Sequence, residues 1–294
     1  MPKKSKSKSA KSRKSAQGPR RIAQRALRFG ANAKKSIKAR VKAMADVPLA
    51  MCEDDKSLQT VLKILREEKE PIEVRLAALQ ALQAASFSVI AFESCRTDYI
   101  ATLRAVAADK NLELRQRVLG ILAREKDGFA QKKLLEGLQQ PDKALLPPEK
   151  ALQLLSYDVH AEAYPVARAI VSNPPNATAK REALRLLAAD ANAAPTFEKV
   201  LRDKKETSEN RQISAAALQA IKPDKLRTHA REILLDTSEN DEIQATCLTA
   251  LKQFGDQGAI ASDNVLLRRV KRLGGKGSSV VKQSARQFLS KYGQ

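Results

Sequence analysis

The stretch PIEVRLAALQALQAA, residues 71–85, decides the fold. Pro71 suits the first turn of a helix, and the leucines, alanines and glutamines that follow favour its interior. Val74, Ala78, Leu79 and Leu82 recur at helical spacing, so one face of this helix must be buried against another element. The fold then depends on whether the helix is single or one copy of a repeated unit.

Related stretches follow it along the chain. They begin at Asn111 (NLELRQRVLGILARE), Asn176 (NATAKREALRLLAAD), Ser208 (SENRQISAAALQAI), Asn240 (NDEIQATCLTALKQF) and Gly277 (GSSVVKQSARQFLSKY), with a weaker copy at Leu145. Their small or modest mid-helix residues are Ala78, Val118, Ala151, Ala183, Ala217, Cys247 and Ala285, spaced roughly 30 to 40 residues apart, as in helical repeat arrays. Each copy is preceded by a second helical pattern, for example SLQTVLKILREE from Ser57 and PDKLRTHAREILLD from Pro223. The unit is therefore helix A, a short turn, then helix B. Asn176, Ser208 and Asn240 stand where N-caps of helix B are expected. Neither helix buries its apolar stripe alone, so successive pairs must stack.

The pattern of an aliphatic residue, a basic residue, then Ala-Leu and Leu at helical spacing resembles the HEAT repeat. The short phycobilisome-lyase-like and armadillo-like arrays are nearest. Val74-Arg75, Ala78-Leu79 and Leu82 carry it fully; Ala179-Lys180, Ala183-Leu184 and Leu187 carry it well; Ile243, Cys247-Leu248 and Leu251 carry it with Gln244 at the basic position. The tetratricopeptide repeat has a similar period, but its Trp/Leu-Gly-x-x-Tyr signature is absent. The resemblance implies an all-α fold, a right-handed α-solenoid of about six or seven HEAT-like hairpins over residues 55–294. It implies no particular function.

Composition agrees with this reading. Hydrophobic residues make up 43% of the 294-residue chain, aromatics only 4%, and tryptophan is absent. No apolar run reaches the roughly 20 residues that span a membrane. There is no apolar core of a secretory signal, and a cytoplasmic setting, or a nuclear one in a eukaryote, is the expectation. Cys52, Cys95 and Cys247 form neither a disulfide framework nor a zinc-ligand spacing and read as core thiols.

The net charge of +21 is unevenly placed. Residues 1–42 hold 16 Lys/Arg and no acid, and residues 264–294 hold 8 and no acid; the other 30 lie with all 33 acids between them. The Lys/Ser-rich segment 1–18 has almost nothing to bury and is expected to be a disordered arm. Its serines are candidate phosphorylation sites, and an import address or a transit peptide are competing readings of it. Residues 19–46 read as two basic amphipathic helices broken at Gly30, with Ile22, Ala26 and Phe29 on one face and Ala33, Ile37, Val41 and Met44 on the next. Cationic ends attract a polyanion. The candidate nucleic-acid-binding residues are Lys3, Lys4, Lys6, Lys8, Lys11, Arg13, Lys14, Arg20, Arg21, Arg25, Arg28, Arg268, Arg269, Lys271, Arg272 and Lys276.

No catalytic, cofactor-binding or metal-binding constellation emerges. HEAT-like arrays of the deoxyhypusine-hydroxylase type carry repeated His-Glu pairs, whereas His160 and His229 are each followed by alanine. They read as a turn residue and a solvated helix residue. LGGKGSS, residues 273–279, lacks the Gly-Lys-Ser/Thr order and preceding strand of a phosphate loop and reads as a flexible turn. The expected function is a non-enzymatic, monomeric protein-interaction scaffold whose basic termini associate with nucleic acid. Its protein partner would sit on a concave face lined by Arg75, Arg115, Lys180, Arg181 and Arg211. A phycobilisome-lyase-like modifying enzyme and a membrane-surface adaptor are the alternatives.

Overall fold

A computed structural model describes residues 18, 21–51, 54–158 and 161–293. The expectations placed on residues 1–17, on Arg20, Cys52 and His160 lie outside these. Every regular element among the described residues is helical. The chain divides into two units, one running through Lys133 and one from Leu134 onward.

In the first unit, α1 (residues 21–30) and α2 (Ile37–Met44) form a hairpin. The short α3 (Pro48–Met51) leads to the pair α4 (Asp55–Arg66) and α5 (Ile72–Ser86). The single turn α6 (Val89–Phe92) precedes α7 (Arg96–Val106) and α8 (Leu112–Arg124). The boundary between the units falls within α9 (Gly128–Gln139).

The second unit continues with α10 (Pro148–Leu155) and the pairs α11 (Tyr164–Ser172) with α12 (Ala177–Leu187), and α13 (Ala194–Arg202) with α14 (Ser208–Ile221). α15 (Pro223–Leu235) pairs with α16 (Asp241–Phe254). The short α17 (Gln257–Ser262) precedes the last pair, α18 (Asn264–Lys276) and α19 (Ser279–Tyr292). Second helices pack side by side, α10 on α12, α12 on α14, α14 on α16 and α16 on α19.

The fold-deciding segment PIEVRLAALQALQAA forms α5, with Pro71 as its cap. Val74, Ala78, Leu79 and Leu82 are all buried, as are Ala179, Ala183, Leu184 and Leu187 in α12 and Ile243, Cys247, Leu248 and Leu251 in α16. Each buried leucine contributes roughly 1.5–3 kcal/mol relative to exposure. The last copy is closed differently. Phe288 takes the apolar place, and the Tyr292 hydroxyl donates to the Leu251 carbonyl at 3.0 Å, tying α19 to the end of α16.

Several expectations are corrected. Thr207, not Ser208, caps α14, its hydroxyl accepting from Asn210 N–H at 3.2 Å; Asn176 and Asn240 do cap α12 and α16. The segment 273–279 is not a loose turn, because α18 runs through Gly274 and Gly275 to Lys276 and only Gly277 and Ser278 separate it from α19. On α1 the buried face is Ala23, Leu27 and Gly30, while Ile22 is 60% exposed. On α2 it is Arg40 and Met44. Gly30 is needed where it stands: a Cβ there would meet the Met44 Cε at 2.9 Å.

Candidate functional site

Three arginines occupy one position in their helix-B copies and do the same two things. Arg40, Arg75 and Arg211 each donate from Nε to the carbonyl ten residues earlier, Gly30 at 2.7 Å, Leu65 at 2.9 Å and Leu201 at 2.8 Å. That carbonyl lies at the end of helix A, where the last carbonyls lack helical partners. The guanidinium then reaches an acid in the turn of the next hairpin. Arg40 lies 2.8 Å from Glu70, Arg75 donates to Asp109 at 2.5 Å, and Arg211 makes two 2.7 Å bonds to Glu239. Lys180 pairs with Glu206 in the same manner, and Gln244 Nε2 donates to the Glu239 carbonyl at 2.9 Å.

A second row of pairs runs through the first helices. Arg104 donates to Asp127, Arg168 to Asp190 and Arg231 to Asp263. Each aspartate also accepts with its other oxygen from a backbone N–H of the next helical turn, that of Ala130, Asn192 or Leu266. One side chain thus starts a helix and holds its predecessor.

The arginines expected on an exposed binding face are therefore redistributed. Arg75 and Arg211 are only 4% and 2% exposed, consumed by their pairs with Asp109 and Glu239. Lys180 is half-buried against Glu206. Arg115 turns back on its own turn, donating to the Asp109 and Lys110 carbonyls at 2.7 and 3.1 Å. Arg181 stays at the surface but bonds to Glu209 at 3.1 Å, beside Arg185 on the same carboxylate.

The titration behaviour of the acids reflects these partners. Burial pushes Asp109, Glu206 and Glu239 up, but hydrogen bonds from Arg75, Lys180 and Arg211, with backbone N–H donors, outweigh it and hold all three below the ordinary range. The Arg231 bond depresses Asp263, and the Lys204 bond depresses Asp236 strongly.

His229 is buried rather than solvated. Its Nε2 lies 2.9 Å from Glu198 of α13 and its Nδ1 3.5 Å from Glu232. Cys95 and Cys247 are buried free thiols, and burial pushes Cys247 up to about 12, far from reactivity. Among the described residues no three of His, Cys, Asp and Glu gather as a metal-holding group, and no helix is long and apolar enough to cross a membrane.

Two surfaces depart from this pattern of pairing. On α18, Arg268, Lys271, Arg272 and Lys276 are exposed and have no acidic partner among the described residues, with Arg268, Arg272 and Lys276 one turn apart. Arg269 does not belong with them: it is half-buried, donating to the Leu234 and Asp236 carbonyls at the end of α15. On α1, Arg21, Arg25 and Arg28 form a similar exposed column.

The second surface is a groove of about 680 Å³ across α14, α16 and α19. Ala215, Ala216, Ala245 and Ala250 give it a shallow apolar floor. Phe254 and Val280 stand exposed at its sides, and Gln212, Gln219, Gln253, Thr246, Thr249 and Ser284 supply amides and hydroxyls. Its one charged lining residue is Glu242. The groove is not among the surfaces expected from the sequence, because its residues come from three different copies. The signal present is the row of small residues on the exposed side of α14.

Paired helices repeating along the chain, joined by buried charges between successive pairs, define a helical-repeat protein. No family model matches the chain, and no curated protein does. A solved structure of human deoxyhypusine hydroxylase in complex with glycerol aligns with 84% of this chain and 99% of its own, at 17% identity and a TM-score of 0.35. So distant a likeness brings neither residues nor an activity across.

Proposed function

We propose that this chain is a HEAT-like interaction scaffold whose cationic terminal helices associate with nucleic acid. The observation that carries the reading is the α18 column. Elsewhere cations are matched to acids hairpin by hairpin, whereas Arg268, Lys271, Arg272 and Lys276 face outward without an acid among the described residues. Unneutralised cations spaced one helical turn apart suit a phosphate backbone, where released counterions drive binding. The surface has no aromatic side chain interleaved with the cations, so contact through phosphate rather than base stacking is expected.

Filter binding of duplex DNA and RNA at two salt concentrations tests this. Replacing Arg268, Lys271 and Arg272 by glutamate should weaken binding and lower the salt slope by about one unit for each phosphate no longer neutralised. Unchanged affinity and slope would remove the α18 surface from the proposal. Retention on anionic lipid vesicles but not on either nucleic acid would favour a membrane-surface adaptor.

A further inference from the structure

The groove across α14, α16 and α19 has an unsatisfied chemistry of one kind. The Gln219 Oε1 is buried and accepts no hydrogen bond. Glu242, in the first turn of α16, has no cationic partner among the described residues. Other acids of this unit, including Glu206, Glu209, Asp236, Glu239 and Asp263, are all engaged by Lys or Arg. Both open groups are acceptors, and they lie in a site floored by alanine. An occupant must therefore bring donors and an apolar side chain together.

From this we infer that the groove takes an extended peptide segment of a partner protein, with an aliphatic residue over Ala216 and Ala250 and a Lys or Arg against Glu242. A bound helix would keep its backbone N–H groups for itself, whereas an extended chain presents them to Gln219 and to the carboxamides of Gln212 and Gln253. The sign of the charge is the sharper point. A chain with a net charge of +21 repels cationic peptides in general, so selection of one requires a local carboxylate. This rests on the scaffold reading above and gives it a partner class, and it is independent of α18.

Fluorescence anisotropy on the full chain tests it with three labelled probes: acetyl-Val-Lys-Val-Ala-Val-Lys-amide, the same peptide with glutamate for lysine, and the lysine peptide with N-methylated backbone amides. The lysine probe should bind saturably and about tenfold more tightly than the glutamate probe. N-methylation should weaken it, Glu242→Lys should invert the lysine preference, and Ala216→Trp should block all three probes. Ala216 and Glu242 are exposed, and circular dichroism checks that the variants fold. Equal binding of the lysine and glutamate probes, or affinities that Glu242→Lys and Ala216→Trp leave unchanged, would overturn the assignment. Duplex DNA titrated against the same variants separates the two readings. Groove variants should keep wild-type DNA affinity, and removal of the α18 charges should leave the peptide preference intact.

Discussion

At the scale of single residues, the decisive atoms are those of the recurrent arginine. Arg211 and Glu239 are both nearly inaccessible and joined by two parallel hydrogen bonds. Removing one member leaves the other charged and buried, so Arg211→Ala should cost about 3–5 kcal/mol by chemical denaturation. Arg211→Lys should recover only part, because an ammonium replaces neither the fork nor the Nε bond to Leu201. By contrast Arg181, half-exposed and sharing Glu209 with Arg185, should cost less than about 1 kcal/mol when changed to alanine. A similar destabilisation at both sites would show that burial does not set the strength of these pairs. The sequence displays these arginines but not their burial. A basic residue beside a buried aliphatic one reads as solvent-facing until the acid of the next hairpin, 34 residues on for Arg75 and 28 for Arg211, is placed against it. His229 reads as solvated for the same reason, since Glu198 lies 31 residues away on α13.

At the scale of elements, periodicity makes the helices legible and leaves their ends and accessories obscure. The helical spacing of α5, α12 and α16 gives their buried faces residue by residue. It fails on α2, where Arg40 is part of the buried face; an Ile-x-x-Arg string at Ile37–Arg40 repeats that at Ile72–Arg75 and is the signal that residues 21–44 form another hairpin of the series. Caps are less legible still, because Thr207 and Ser208 are chemically equivalent candidates one residue apart. Thr207→Ala should cost about 0.5–2 kcal/mol, whereas Ser208→Ala, at the first helical position, should leave the melting curve nearly unchanged. At the turn joining α5 to α6, Phe87 and Ile90 are 86% and 96% exposed, with Val89 between them. The double variant Phe87→Ser, Ile90→Ser removes apolar surface that packs on nothing within the chain. It should stay within about 0.5 kcal/mol of wild type while lowering light scattering on concentration. A large drop in stability would mean that these side chains are supported in solution after all.

For the whole molecule, charge sets the stability profile against pH. Asp54, Asp109, Glu206, Asp236, Glu239 and Asp263 are all held below their ordinary carboxylate values in the folded chain. A carboxylate depressed by folding binds its proton more readily in the unfolded chain. The stability it contributes is therefore complete above the unfolded value, near 3.8 for aspartate and 4.5 for glutamate, and is lost as pH falls through the lower folded value. Acidification also neutralises the acids that offset 54 basic residues, which adds self-repulsion. Melting temperature should stay nearly level from about pH 7 to pH 5 and fall steeply below about pH 4. The hairpin-to-hairpin pairs should account for part of that fall. Replacing Arg211 and Glu239 together by methionine and leucine removes one pair without leaving a lone charge, and buried pairs exchanged in this way are often neutral or stabilising. The double variant should melt at or above the wild type at pH 7, and its melting temperature should fall less between pH 5 and pH 3. Parallel curves for the two proteins would show that the acid sensitivity comes from overall charge, leaving the pairs to fix how one hairpin seats on the next.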